Sequence, residues 1–226
     1  MKYLKFVLYL ALGLSTTVFY SCDKDNKDID IGGNPSKITA IDVFNSTSQI
    51  VTAAASIHWH DADDKYYDDV IAQVPYKNNG FTLELPATLP AKYLISVAEL
   101  QDDGFVISDN QAKLGEIELL AYNKDENPIG NLWLGADGNN LYNRSRVMWT
   151  YVDRNVSIKG ENKRVSYNDE FIDTIDVNFK KGWNVIYGIG TEKYNSSTGI
   201  TTYTWTVTTP KPSSINFYWY YEDWGL

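Results

Sequence analysis

The chain has 226 residues, 14% of them aromatic, one cysteine and a formal charge of −9 at pH 7. A lone cysteine rules out an intramolecular disulfide, so any fold must rest on a hydrophobic core. The acidic balance, with no cluster of Lys and Arg to neutralise phosphates, argues against nucleic acid as a partner. At the amino end, Lys2 and Lys5 precede an apolar run from Phe6 to Phe19. That run is shorter than the ~20 residues a membrane-spanning helix needs, so residues 1–21 are assigned as a signal peptide.

The leader closes on Phe19-Tyr20-Ser21-Cys22. A small residue directly before the only cysteine resembles a lipoprotein signal-peptidase site, closest to the relaxed sites of Bacteroidetes-type bacteria. That resemblance implies that Cys22 is acylated and becomes the first residue of a membrane-anchored protein; an ordinary secretory leader is the alternative. Residues 22–36, rich in Asp and Lys and ending in Gly32-Gly33-Asn34-Pro35-Ser36, have the composition of a disordered tether. Their acidic and Lys-containing start resembles the surface-export signal of Bacteroidetes lipoproteins, and a plain solvated spacer fits it too. Removal of residues 1–21 takes the charge from −9 to −11, because Lys2 and Lys5 are lost with no acid.

Residues 37–226 have the pattern of strands. Every second residue is apolar in Phe81-Thr82-Leu83-Glu84-Leu85, Ile175-Asp176-Val177-Asn178-Phe179 and Tyr203-Thr204-Trp205-Thr206-Val207. Turn chemistry falls between such runs at Lys77-Asn78-Asn79-Gly80, Lys180-Lys181-Gly182 and Asn195–Gly199, spaced for hairpins rather than crossover helices. The expectation is one all-β domain of roughly ten to twelve strands, an antiparallel sandwich with a barrel as the alternative. A subdivision near residue 110 is the one place for a boundary, although no Pro/Gly/Ser-rich linker marks it. Tyr151–Gly160 (YVDRNVSIKG) and Lys180–Tyr187 (KKGWNVIY) resemble segments of uncharacterised secreted lipoproteins of Bacteroidales, which implies an exported all-β protein and no particular chemistry.

Catalytic motifs are scarce. The chain has no Gly-x-Ser-x-Gly, phosphate-binding Gly-rich loop or His-Glu-x-x-His, and its only histidines are His58 and His60. On a strand these two share a face, and with Asp61 they form the one candidate metal set; a polar strand face running into an acidic loop explains the same residues. Two distant carboxylates meeting in a cleft would leave no local trace, so a hydrolase stays open as an alternative. No cofactor is expected.

Trp133, Trp149, Trp183 and Trp205 sit in alternating apolar runs and are assigned to the core. In the final strand, Ile215, Phe217, Trp219 and Tyr221 occupy one face, and Asn216, Tyr218, Tyr220 and Glu222 the other. Burial of the first set would leave Tyr218 and Tyr220, with Trp224 beyond, as flat amphipathic rings that can stack on sugars or anchor a protein; burial on both faces is the alternative. Asp173-Thr174-Ile175 resembles the O-glycosylation acceptor of exported Bacteroidetes proteins, and it also fits a strand start. The sequence thus points to an outer-membrane, cell-surface lipoprotein that binds a glycan or protein partner without catalysis. A metal- or carboxylate-dependent hydrolase and a structural subunit of a surface assembly are the alternatives.

Overall fold

The computed structural model describes residues 35–61, 63–136, 143–167 and 169–225. Residues 1–34, which hold the expected signal peptide, Cys22 and most of the expected tether, lie outside the described residues. Fifteen strands are present among the described residues. They are β1 (Lys37–Ala40), β2 (Thr52–His60), β3 (Tyr66–Pro75), β4 (Phe81–Glu84), β5 (Ile95–Ser96), β6 (Val106–Ile107), β7 (Lys113–Glu116) and β8 (Glu118–Tyr122). The second half supplies β9 (Pro128–Ala136), β10 (Ser145–Val152), β11 (Val156–Ser166), β12 (Asp169–Phe179), β13 (Gly182–Asn195), β14 (Ile200–Thr208) and β15 (Tyr218–Asp223). Two short 3-10 segments, Ala91–Tyr93 and Val97–Asp103, are the only helical turns among the described residues. The all-β sandwich expectation holds, and the barrel alternative does not, because the thirteen-strand main sheet stays open.

The main sheet runs β3-β2-β8-β9-β10-β13-β14-β12-β11-β6, with β15 along the free edge of β9 and β7 sharing β10 with β9. Turn chemistry explains the local hairpins. Asn78 and Asn79 have φ of 54° and 56°, the left-handed pair of a type I′ turn whose twist matches the flanking strands. One pairing departs from the antiparallel expectation: β12 and β14 are parallel, from Asp169 opposite Thr201 to Asp176 opposite Thr208. The hairpins β11–β12 and β13–β14 lie side by side in the order β13-β14-β12-β11, which brings two strands of the same direction together.

The sheet carries apolar packing on both faces. On the inner face, Ile57 of β2, Leu132 and Leu134 of β9, Trp149 of β10, and Trp219 and Tyr221 of β15 pack with Ile38 and Leu83 of the two-stranded β1–β4 sheet. On the opposite, outer face, Val97, Phe105 and Leu114 cover Val152, Ile186, Val177 and Val207 at one end only. Alternation along each strand divides the side chains between these two cores, so β10 and β13 are buried on both sides. Strands from both halves share one sheet and one inner core, and β7 pairs with β5 and β10 across the region of residue 110. Ser36, placed at the end of the expected tether, is joined to the fold, its carbonyl accepting from the Leu85 amide at 2.7 Å.

Candidate aromatic cleft

The cleft forms where three strands part. β9 pairs with β8 through Pro128–Asn131 and with β10 through Leu134–Ala136, while β7 takes over the same edge of β10 at Thr150–Val152. Between these ladders a gap remains, and it opens as a cleft of 360 Å³. Its walls include Glu118, Asn131, Trp133, Arg146, Glu222 and Trp224.

β15 is divided as its alternation predicts. Phe217, Trp219 and Tyr221 are buried at 6%, 1% and 4% exposure, while Tyr218 and Tyr220 are half-buried on the outer face and Trp224 is exposed. Of the three candidate ligand-binding residues, only Trp224 lines the cleft. Tyr220 backs it by stacking on Trp133, with centroids 4.6 Å apart and planes 19° apart. Phe44 stacks on the far side of Tyr220 at 5.5 Å and meets Tyr218 edge-on at 5.8 Å. Phe44 is held there by backbone: its amide donates to the Trp219 carbonyl, and its carbonyl accepts from the Tyr221 amide. On the other side of Trp133, the Arg146 guanidinium sits 5.2 Å from the ring.

Three of the four tryptophans assigned to the core pack in or against one. Trp149 and Trp183 are buried in the inner core, and the Trp183 indole N–H donates to the Pro86 carbonyl at 2.7 Å. Trp205 is half-buried against the outer-face core, whereas Trp133 lies half-buried on the outer face, a correction to its core assignment. The signal was present for Trp133: in Leu132-Trp133-Leu134 the leucines take the inner face, so strict alternation turns the indole outward.

Of the polar atoms on the cleft-lining residues, Asn131 Oδ1 and Trp133 Nε1 are sealed from solvent with no hydrogen-bond partner among the described residues. Glu118 is fixed from behind, with one carboxylate oxygen 2.9 Å from His58 Nε2. The other ring nitrogen, Nδ1, is bonded to Asp68 and approached by the Tyr66 hydroxyl. His58 thus reaches the cleft through Glu118.

The candidate metal set is not brought together. His58 stacks on Tyr66 and His60 meets the same ring edge-on, so a tyrosine lies against both imidazoles. Asp61 is spent within its own hairpin, accepting from the Asp63 and Lys65 amides at 3.0 Å each and from the Tyr67 hydroxyl at 2.9 Å. Those bonds, the Lys65 amide first, hold its carboxyl below the usual carboxylate range. Among the described residues, no group of three or more His, Cys, Asp and Glu is arranged to hold a metal ion.

One acid near the cleft is strongly perturbed. Glu116 of β7 lies opposite Thr150, whose hydroxyl donates to it at 3.4 Å, and burial with help from the nearby Glu118 charge pushes its carboxyl up to about 7. Glu116 does not contribute to the cleft wall. Thr174 lies in the middle of β12 rather than at a strand start, half-buried between β11 and β14.

Compared with known proteins, the chain matches no family model, no curated protein and no solved structure.

Proposed function

We propose that the protein is a non-catalytic glycan-binding module, exported under the direction of residues 1–21 and held at the outer membrane through acylated Cys22, with its folded part displayed at the cell surface. The observation that carries the glycan assignment is the pairing, in one cleft, of aromatic walls from Trp133 and Trp224 with the polar side chains of Glu118, Asn131, Arg146 and Glu222. Apolar ring faces take the C–H faces of a sugar, and acids, amide and guanidinium take its hydroxyls. The carboxyls of Glu118 and Glu222 are steadied from outside the cleft, by His58 and by Arg144 at 3.8 Å, which favours a site shaped before its ligand arrives.

The alternatives have less support. A hydrolase needs a carboxyl of raised pKa facing its substrate, and the acids that burial raises among the described residues, Glu116 against Thr150 and Asp173 against Arg164, both lie outside the cleft wall. A subunit that assembles by strand pairing needs an inviting edge. The β11 edge carries Lys159, Glu161 and Lys163, and the β3 edge carries Asp68, Asp69 and Pro75, all features that discourage pairing.

A glycan array probed with the mature protein tests the proposal. Binding is expected, with Trp133→Ala and Trp224→Ala each weakening it by about tenfold or more. A silent array, or equal binding by both variants, would overturn the glycan assignment. For the anchor, Cys22→Ala is expected to leave the membrane fraction or persist as an unprocessed precursor. Protease added to whole cells should degrade the wild-type protein, and full protection would place it inside the outer membrane.

A further inference from the structure

Aromatic rings continue along the outer face well past the cleft. Strand register sets Tyr218 beside Gly135, Gly135 beside Arg146 and Arg146 beside Gly188, on β15, β9, β10 and β13 in turn. Glycine at two of these four places lets indoles lie across the sheet. A Cβ on Gly135 would come within 2.5 Å of the Trp133 ring, and one on Gly188 within 2.3 Å of the Trp205 ring. The two indoles therefore flank Arg146 over strands two spacings apart, about 10 Å. Beyond Trp205, Tyr203 stacks on Phe171 of the next strand at 5.2 Å and 23°, and Arg164 lies 5.8 Å over Phe171.

From Tyr220 to Phe171 this path crosses β15, β9, β10, β13, β14 and β12, five strand spacings or about 24 Å. Its rings are half-buried, seated in the sheet with part of their surface open. Along it, cleft included, three arginines, Arg144, Arg146 and Arg164, are outnumbered by the acids Glu118, Glu222, Glu192 and Asp173. Two opposite pairs are in contact, Arg164 with Asp173 at 2.9 Å and Arg144 with Glu222 at 3.8 Å. A surface that offers stacking planes and hydrogen bonds with a slight excess of negative charge suits a neutral chain and repels a polyanion.

We infer that the outer face is a continuous platform for one linear, neutral polysaccharide laid across the strands, with the cleft as its anchoring subsite and Trp205 and Phe171 as distal subsites. The inference rests on the glycan assignment above and adds the form of the ligand: a chain longer than the cleft alone can hold. Each distal ring adds contact without a new anchoring event, so affinity rises with chain length until the platform is filled.

The test is native affinity electrophoresis of the full mature chain in gels containing xylan, glucomannan, mixed-linkage β-glucan or α-mannan. Short and long oligosaccharides of the retarding polymer serve as competitors, and polygalacturonate serves as the charged control. The long competitor is expected to outperform the short one by about tenfold or more, with Trp205→Ala removing that gain and leaving the short competitor's affinity unchanged. Phe171→Ala, at the far end of the path, makes the same test if the Trp205 variant fails to fold. Equal potency of short and long competitors, or full length dependence in both variants, would overturn the platform while leaving the cleft assignment intact. Retardation by polygalacturonate alone would overturn the neutral-chain inference, and retardation in no gel would remove both the platform and the cleft assignment.

Discussion

Glu116 is the residue whose protonation most directly couples to folding. The half-buried residue turns its carboxyl to Thr150, and burial pushes it up to about 7, above its ordinary 4.5. Between those values the folded chain holds a proton that the unfolded chain has released, so stability falls as pH rises through that window. The full cost above pH 7 is at most about 3 kcal/mol. Glu116→Gln is expected to flatten this slope, melting close to wild type at pH 5 and higher than wild type at pH 8. A parallel pH dependence for the two proteins would disprove the assignment. Carboxyls held below their ordinary range act in the opposite sense. Asp69, bonded first by Lys92, and Glu170, bonded first by Lys163, lose their contribution as the pH falls into the carboxylate range. Maximum stability is therefore expected near pH 5, readable from a series of melting curves. Little of this was legible in the sequence, because Glu116 and Thr150 are 34 residues apart and meet only through β7–β10 pairing. The division of Tyr218 and Tyr220 from Trp219 and Tyr221 was legible, because period-two alternation needs only local order.

At the level of elements, glycine controls where the indoles rest. Gly188→Ala would drive its new methyl into Trp205, with Met148 3.0 Å away on the same side. A loss of about 1–3 kcal/mol is expected, together with altered near-ultraviolet circular dichroism as the indole lifts. An unchanged melting temperature would mean that Trp205 does not rest on this glycine. The same substitution at Gly182, where φ is 100° and nothing lies within 4 Å, would act through backbone strain instead. Long strands and their turns were readable from alternation and from Asn-Asn-Gly or Lys-Gly punctuation. The short strands β5 and β6, of two residues each, were not, since two residues carry no periodicity. Nor was the parallel β12–β14 pair, because strand direction follows from how two finished hairpins dock, which neither hairpin encodes alone. Alternation shows that Tyr203, Trp205 and Val207 share a face, but not how far the second core extends along it: Val207 is buried and Trp205 only half-buried at its margin.

On the scale of the whole molecule, the hairpin pairings β2–β3, β8–β9, β9–β10, β11–β12 and β13–β14 are local, whereas β15 closes on the distant β9, with Tyr218 opposite Gly135 and Asp223 opposite Gly130. That one strand supplies Trp219 and Tyr221 to the inner core and Glu222 to the cleft wall, followed by Trp224. Deletion of residues 218–225 is therefore expected to abolish cooperative unfolding as well as ligand binding, with calorimetry as the measurement. A truncated chain that still melts sharply would show that the core closes without β15. A chain threaded across a membrane from its amino end carries β9 through long before β15 follows. Until then, β9 would have an open edge and the core would lack Trp219, so a chain exported as proposed would stay loosely folded in transit. Because β15 both locks the sheet and completes the cleft wall, recognition of a glycan, on the proposed function, would begin only after that strand had crossed.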